Sequence, residues 1–465
     1  MGGLFSSLHT ASTALDAFTR ALGVDQSNIA NVSTPGYAAQ KASILPIDLS
    51  GSGAGNGDYI TISSSGNSFA DAIVRTASSQ ASASQTQAAQ LSPINQLFDI
   101  TGTTGILAAL QQFSTAFSNL SVSPGDPTRG AAALTAAGNV ASAFQTVAAS
   151  LNTQSTQLAS SIQSTTARIN ALSKDISQLN VQTTGSTQES ATTDAHLRSD
   201  LDQLSSLVDT TVTTATNGSV SVLAGGQLPL VIGDQSYTLS ANPAAAPGSQ
   251  ISSSAGGNSP VSFSGQLGAL LQTQNGTIAQ LLGASGQPGS LNTLAAGFAS
   301  QVNTLLSSGV TATGAAGVPI FTYDATANAT DVAGTLALDP AVTADQLGLA
   351  TTGATPSSNG VANQLAALPG STANPILGLS AEGFLGSIAA SVGQQLSDAN
   401  TASTADQTTL TTAQTNRQQE IGVSLDQEAA TIATYQRSYQ ANAQVISVLN
   451  QLTQDTINMG TPSAG

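Results

Sequence analysis

Asn28-Ile-Ala-Asn-Val-Ser-Thr-Pro-Gly-Tyr37 closes the first helical stretch of this 465-residue chain. Before it, Leu4, Leu8, Ala11, Leu15, Phe18 and Leu22 are spaced 4, 3, 4, 3, 4, which is the a/d seam of a coiled coil. Ser, Thr, His, Asp and Arg lie between them, so the predicted helix has one apolar side and one wet side. Thr34-Pro-Gly-Tyr37 then stops it: proline presets φ at the second position of a turn, glycine supplies positive φ at the third, and a type II turn fits. The far end of the chain mirrors the first. Leu425, Ile432, Tyr439 and Ile446 recur every seven residues, flanked by Tyr435, Asn442 and Leu449.

Composition narrows the function. The chain is 7% charged and 4% aromatic, with two His, no Cys and no Trp. Its formal charge of −16 and nine basic residues argue against nucleic acid and against an anionic membrane surface, both of which are bound through Lys and Arg. No apolar run reaches the length of a membrane span, and no basic n-region with an apolar core opens the chain, so no cleaved signal peptide is expected. His9 and His196 have no Asp, Ser or Cys at a recognisable catalytic offset. No HExxH, EF-hand loop or cysteine pair offers a metal site, and no cofactor is expected. Glycines 51, 53, 55 and 57 precede an alternating strand rather than a helix, so they read as a hairpin loop and not as a phosphate cradle.

The middle reads as a helical bundle. Residues 71–120 are helical with a break expected near Ser92-Pro93, and 130–182 form the longest helix. In that helix Leu158, Thr165, Leu172 and Leu179 recur every seven residues beside Ile162, Ile169 and Ile176. From Thr211 the period switches to two around Asn217-Gly218 and Gly225-Gly226, predicting a β-meander over about 209–265. Helix resumes from Leu267 to Leu306, and 309–375, rich in Ala, Gly and Thr, reads as a loosely structured β-containing segment over the bundle. The last interruption is Gly422-Val-Ser-Leu, with Ser424 as the N-cap and Gln427 completing a capping box. The fold class is therefore mainly α with a small β part: a discontinuous terminal coiled-coil domain (1–65 and 386–465) around a middle bundle (66–385) carrying the meander.

Asn28-Ile-Ala-Asn31 with Thr34-Pro-Gly-Tyr37, and Tyr435-Gln-Arg-Ser-Tyr-Gln-Ala-Asn-Ala-Gln-Val-Ile446 at the other end, resemble the paired terminal signatures of the bacterial flagellar axial proteins of rod, hook and hook–filament junction. Rod and hook members carry mostly β-rich middles. The helical middle here, with Leu197-Arg-Ser-Asp-Leu-Asp-Gln-Leu204, Gly265-Gln-Leu-Gly-Ala-Leu-Leu271 and Gly422-Val-Ser-Leu-Asp-Gln-Glu-Ala429 in that order, is similar to the junction branch; a distal rod or hook variant is the alternative. Two departures stand out: Ala39 where the family usually has arginine, and Asp200-Leu-Asp202 where it favours Asp-x-Arg-Asp, which puts specific ion pairs in doubt.

The resemblance implies a structural, non-enzymatic protein that self-assembles in a ring or helix. Its neighbours would be the hook protein on one side and a second junction protein on the other. It would leave the cell through the flagellar secretion apparatus, with an export chaperone and no cleaved signal, and end in the extracellular flagellum. The assembly interface would consist of Leu4, Leu8, Leu15, Phe18, Leu22, Asn28, Ile29, Asn31, Pro35, Gly36 and Tyr37 with Leu425, Ile432, Tyr435, Tyr439, Asn442, Ile446 and Leu449. Asn28, Asn31 and Asn442 would fix register, as buried polar residues do in coiled coils. Ordering the terminal residues costs about 1–2 kcal/mol each in backbone entropy, so termini that order fully only on assembly are expected.

Overall fold

The computed structural model describes every residue except 1, 48–56, 102, 186–190, 243–249, 257–261, 285, 325–330, 353–356, 374 and 461–465. Helix α1 (Gly2–Ala30) leads through the Pro-Gly turn into an antiparallel pair, β1 (Gln40–Ile47) and β2 (Gly57–Ser64), which lies against α1. The loop predicted at 51–57 lies outside the described residues, apart from Gly57. Asn67 then caps α2 (Ser68–Leu97), its side chain accepting from the Phe69 and Ala70 amides at 3.0 and 3.2 Å. The helix runs straight through Pro93, and the break falls at 98–104 instead of at Ser92-Pro93. Proline lies in the last turns, where it deletes a single ladder bond, and the completely buried Leu91 and Ile94 on either side of it hold the helix to the core.

Helix α3 (Gly105–Val122) packs on α4 (Pro127–Gly185), the spine of the bundle, and α5 (Ala191–Leu207) packs on both α4 and α2. Leu158, Ile162, Ile169 and Ile176 of α4 are completely buried, while Leu172 and Leu179 are half-buried at the margin of the same core. The aromatic part of that core is a short chain of rings: Phe113 lies 4.5 Å from Phe117 and 5.3 Å from Phe298, which lies 6.1 Å from Phe321.

The meander forms as β3 (Thr210–Thr214), β4 (Val220–Ala224), β5 (Leu228–Ile232) and β6 (Gln235–Ser236), antiparallel in that order, with β7 (Leu239–Asn242) and β8 (Gln250–Ser253) as a separate pair. Two asparagines of α4 attach these strands. Asn180 donates to the carbonyls of Val220 and Gly233 at 2.8 and 2.7 Å and accepts from the Val220 amide at 2.8 Å. Asn170 exchanges a similar pair with Leu239, both at 2.8 Å. Each helical amide thus pairs with both backbone groups of one strand residue, as a neighbouring strand would.

Helix α6 (Gly265–Gln272) continues as a π-helical segment (Thr273–Ile278) into α7 (Ala279–Leu282). The predicted continuous helix to Leu306 is broken by a tight pair, β9 (Gly283–Ala284) and β10 (Gln287–Pro288), before α8 (Ser290–Ser308). Gly283 has φ +100°, and a Cβ there would meet the Gln287 carbonyl, so the chain turns where only glycine fits.

The segment after α8 is built into the bundle and not laid loosely over it. The elements β11 (Phe321–Thr322), α9 (Val332–Thr335), β12 (Ala337–Leu338) and α10 (Gly360–Ala367), with the residues that join them, contribute Ile320, Phe321, Val332, Leu336, Leu347, Val361 and Leu365 to the same core. Asn303 of α8 accepts from the Ile320 and Phe321 amides at 2.9 Å each, and Asn292 accepts from the Ala333 amide at 2.7 Å. Helix α11 (Ala381–Ile421) then runs antiparallel along α2, unbroken through 385. The chain turns at 422–424, as the sequence predicts, and α12 (Leu425–Gly460) returns along α1.

Replacing Asn180 by Leu keeps the volume but leaves the Val220 amide and two carbonyls without partners. The cost expected is on the order of 3 kcal/mol, read as a lower urea midpoint at unchanged slope.

Candidate assembly interface

The residues around the Pro-Gly turn converge on one joint. Asn28 is completely buried: its Oδ1 accepts from the Tyr37 hydroxyl and the Gln40 amide, and its Nδ2 donates to the Gln40 carbonyl, all at 2.9 Å. The amide therefore ties the end of α1 to the start of β1 within its own chain. Asn31 is engaged locally too, donating to the Ser27 carbonyl at 2.8 Å and accepting from Thr34 at 3.2 Å, and Asn442 donates to the Ser438 carbonyl at 3.3 Å. Tyr37 N–H donates to the Thr34 carbonyl at 3.2 Å with Gly36 at φ +75°, the geometry of a type II turn. A Cβ on Gly36 would lie 2.3 Å from the Ala195 carbonyl, so glycine also lets the turn seat on the start of α5.

Below the turn lies a buried ion network. Arg198 of α5 contacts Asp71 of α2 at 3.4 Å and donates to the Gly36 carbonyl and to Ser64, both at 3.3 Å. Arg417 of α11 contacts Asp202 of α5 at 2.7 Å and Asp71 at 3.5 Å. Arg75 joins them, its pKa lowered by burial, so three of the chain's nine basic residues meet here. Burial pushes the Asp202 carboxyl upward, and Arg417 pulls it back. The doubt raised by Ala39 and Asp200-Leu-Asp202 is resolved by other residues: Arg198 and Arg417 supply the ion pairs. The Ala39 amide instead donates to the Ile421 carbonyl at 2.8 Å, bolting the turn to the end of α11. A cleft of about 390 Å³ opens between the turn, Arg198, Asp202, Arg417 and Val423.

Beyond the joint, α1 and α12 pair antiparallel, with Phe18 and Tyr435 ring centroids 6.1 Å apart and the Tyr435 hydroxyl on the Ala42 carbonyl at 3.4 Å. The buried line of α1 is Ala11, Ala14, Ala17, Ala21 and Val24. The larger residues of the predicted seam, Leu4, Leu8, Leu15, Phe18, Leu22 and Ile29, lie to one side of that line and are half-buried. On α12 Ile432, Tyr435, Asn442, Ile446 and Leu449 are half-buried, and Leu425 and Tyr439 are exposed; no described residue of this helix is fully buried. Gly36 and Tyr37 are half-buried and Pro35 is exposed.

Small residues let two helices approach closely and leave the large apolar side chains splayed outward. A further set of exposed residues, Phe5, Val445, Val448, Leu452 and Ile457, was not singled out from the sequence. Val445, Val448 and Leu452 follow helical spacing, but on a face displaced from the heptad stripe.

Among the described residues no group of acids and histidines could hold a metal ion, and no helix is long and apolar enough to cross a membrane. Residues 91–321 match the family described as the flagellar hook-associated protein FlgK helical domain, and 416–459 match the C-terminal region of the flagellar basal body rod FlgEFG proteins. No curated protein matches the chain by sequence. In fold it is similar to the flagellar hook junction protein FlgK from Burkholderia pseudomallei, at a TM-score of 0.62 and 15% identity, over 76% of this chain and 100% of that one.

Replacing Arg417 by Met leaves Asp202 unpaired and half-strips Asp71 in a largely buried site. The loss expected is about 3–5 kcal/mol in denaturant unfolding, part of it recovered by adding Asp202→Asn.

Proposed function

We propose, for a chain that belongs to the family of the flagellar hook-associated protein FlgK, a mechanical mode of action at the hook–filament junction. The match to the FlgK helical domain over residues 91–321 gives it a structural role there. The reading that goes further is self-assembly through the terminal helix pair into a ring or helix, with hook protein on one side and a second junction protein on the other. The observation that carries it is the helix pair itself: alanines fill the seam within the chain, while Phe5 on α1 and Val445, Val448 and Leu452 on α12 are exposed, beside the half-buried Leu4, Leu8, Leu15 and Leu22. Covering that surface with helices of adjacent copies is worth roughly 25 cal/mol per Å².

The joint supports a division of labour. It holds the bundle in a defined relation to the helix pair, so a copy seated by its terminal helices also positions its bundle against its neighbours. The rod-type match at 416–459 lies in the part that axial proteins share, and the helical domain at 91–321 favours the junction over a rod or hook variant. Export through the flagellar secretion apparatus, with a chaperone, and an extracellular position belong to the same proposal. A structural role requires no catalytic group.

Replacing Leu4, Leu8, Leu15 and Leu22 together by Gln tests the reading. Expected are unchanged melting of the bundle, loss of self-association in sedimentation, and cells with hooks but no attached filaments. Normal filaments on such cells would overturn it.

A further inference from the structure

We propose that Asp25 and Glu428 form a protonation-dependent clasp between the two terminal helices, closed when the two carboxyls share one proton and loosened when both are ionised. The inference concerns the helix pair and does not depend on the junction reading.

Asp25 lies on α1, one turn before Asn28, and is 5% exposed. Its Oδ2 has no hydrogen-bond donor, an unusual position for a buried carboxylate. The group facing it is a second acid, Glu428, half-buried in the first turn of α12. Two carboxylates cannot donate to each other, whereas a carboxylic acid donates to a carboxylate, so a single added proton turns repulsion into a hydrogen bond.

Among the described residues no nearby cation removes the need for that proton. On α1 itself, Arg20 pairs with Asp16 at 3.0 Å on the exposed side of the helix. From α12, Asp426 and Arg437 are exposed, and Tyr435 is the remaining titratable group close to the pair, its own pKa raised by burial and then by both acids. From the strands packed on α1, Lys41 of β1 is exposed, and 60–64 of β2 carry no titratable side chain.

Burial first, and Glu428 second, push the Asp25 carboxyl up from 3.8 to about 6. The sign follows from linkage. The paired state holds its proton where the separated state has lost it, so the stabilisation is complete below the ordinary carboxylate range and is lost as pH rises through about 6. At neutral pH the Asp25 proton is gone, and α1 and α12 part more readily. In mildly acidic solution they stay together.

Amide hydrogen exchange of the full chain, corrected for the intrinsic pH dependence of exchange, reads this directly. Protection in 11–28 and 425–442, measured against the 106–120 core, should be about tenfold or more higher at pH 5 than at pH 8. Asp25→Asn should abolish that difference. Equal relative protection in the wild-type chain at the two pH values would overturn the clasp, and so would an Asp25→Asn chain that keeps the wild-type difference. If Asp25→Asn releases α1 at both pH values, Glu428→Gln decides: a flat profile supports the clasp, and a profile as steep as wild type rejects it.

Discussion

Asn28 occupies the end of α1 with no exposed surface, and its amide makes every bond it has to the residues that follow, Tyr37 and Gln40. That constraint fixes where the chain leaves the helix and how the Pro-Gly turn is presented. The turn then meets the Ala195 carbonyl and Arg198 of α5, while Ala39 meets the end of α11. Through these contacts one buried side chain links the first helix to the strand pair, to the bundle and to the point where the last helix begins.

The same device recurs through the molecule. Asn170, Asn180, Asn292 and Asn303 each sit on a helix and bind the backbone of a strand, an irregular segment or a short helix by its N–H, its C=O or both. A chain that is 7% charged, with no Trp, has few other ways to anchor irregular backbone to a helix surface. An amide carries one donor group and one acceptor group and no charge, so burying it costs less than burying an ion. The exception is the joint, where Asp71, Arg75, Arg198, Asp202 and Arg417 bring five charges into a largely enclosed space.

Much of the fold was legible in the sequence, because period and punctuation are local. The stripe of α1, the Pro-Gly turn, the length of α4, the switch to strands after Thr211 and the break before Leu425 each follow from residues close in the chain. The joint was not legible. Asp71 and Arg417 lie at opposite ends of the bundle sequence, and nothing in either neighbourhood marks them as partners. The apolar seam was read from the largest side chains, whereas the closest approach of two helices is made by the smallest, and so Ala14, Ala17 and Ala21 hold the line while Leu15 and Leu22 flank it. Pro93 was given its usual weight as a breaker, which buried neighbours overrode.

This arrangement, secured at the base and with exposed apolar residues on α12, is what the proposed seating by the terminal helices requires. The joint depends on Asn28, and limited proteolysis of the Asn28→Ala chain, with mass spectrometry of the fragments, tests that dependence most directly. Rapid cleavage within 31–47 and release of the first helix from an intact bundle are expected, where the wild-type chain resists. A digestion pattern identical to wild type would contradict it.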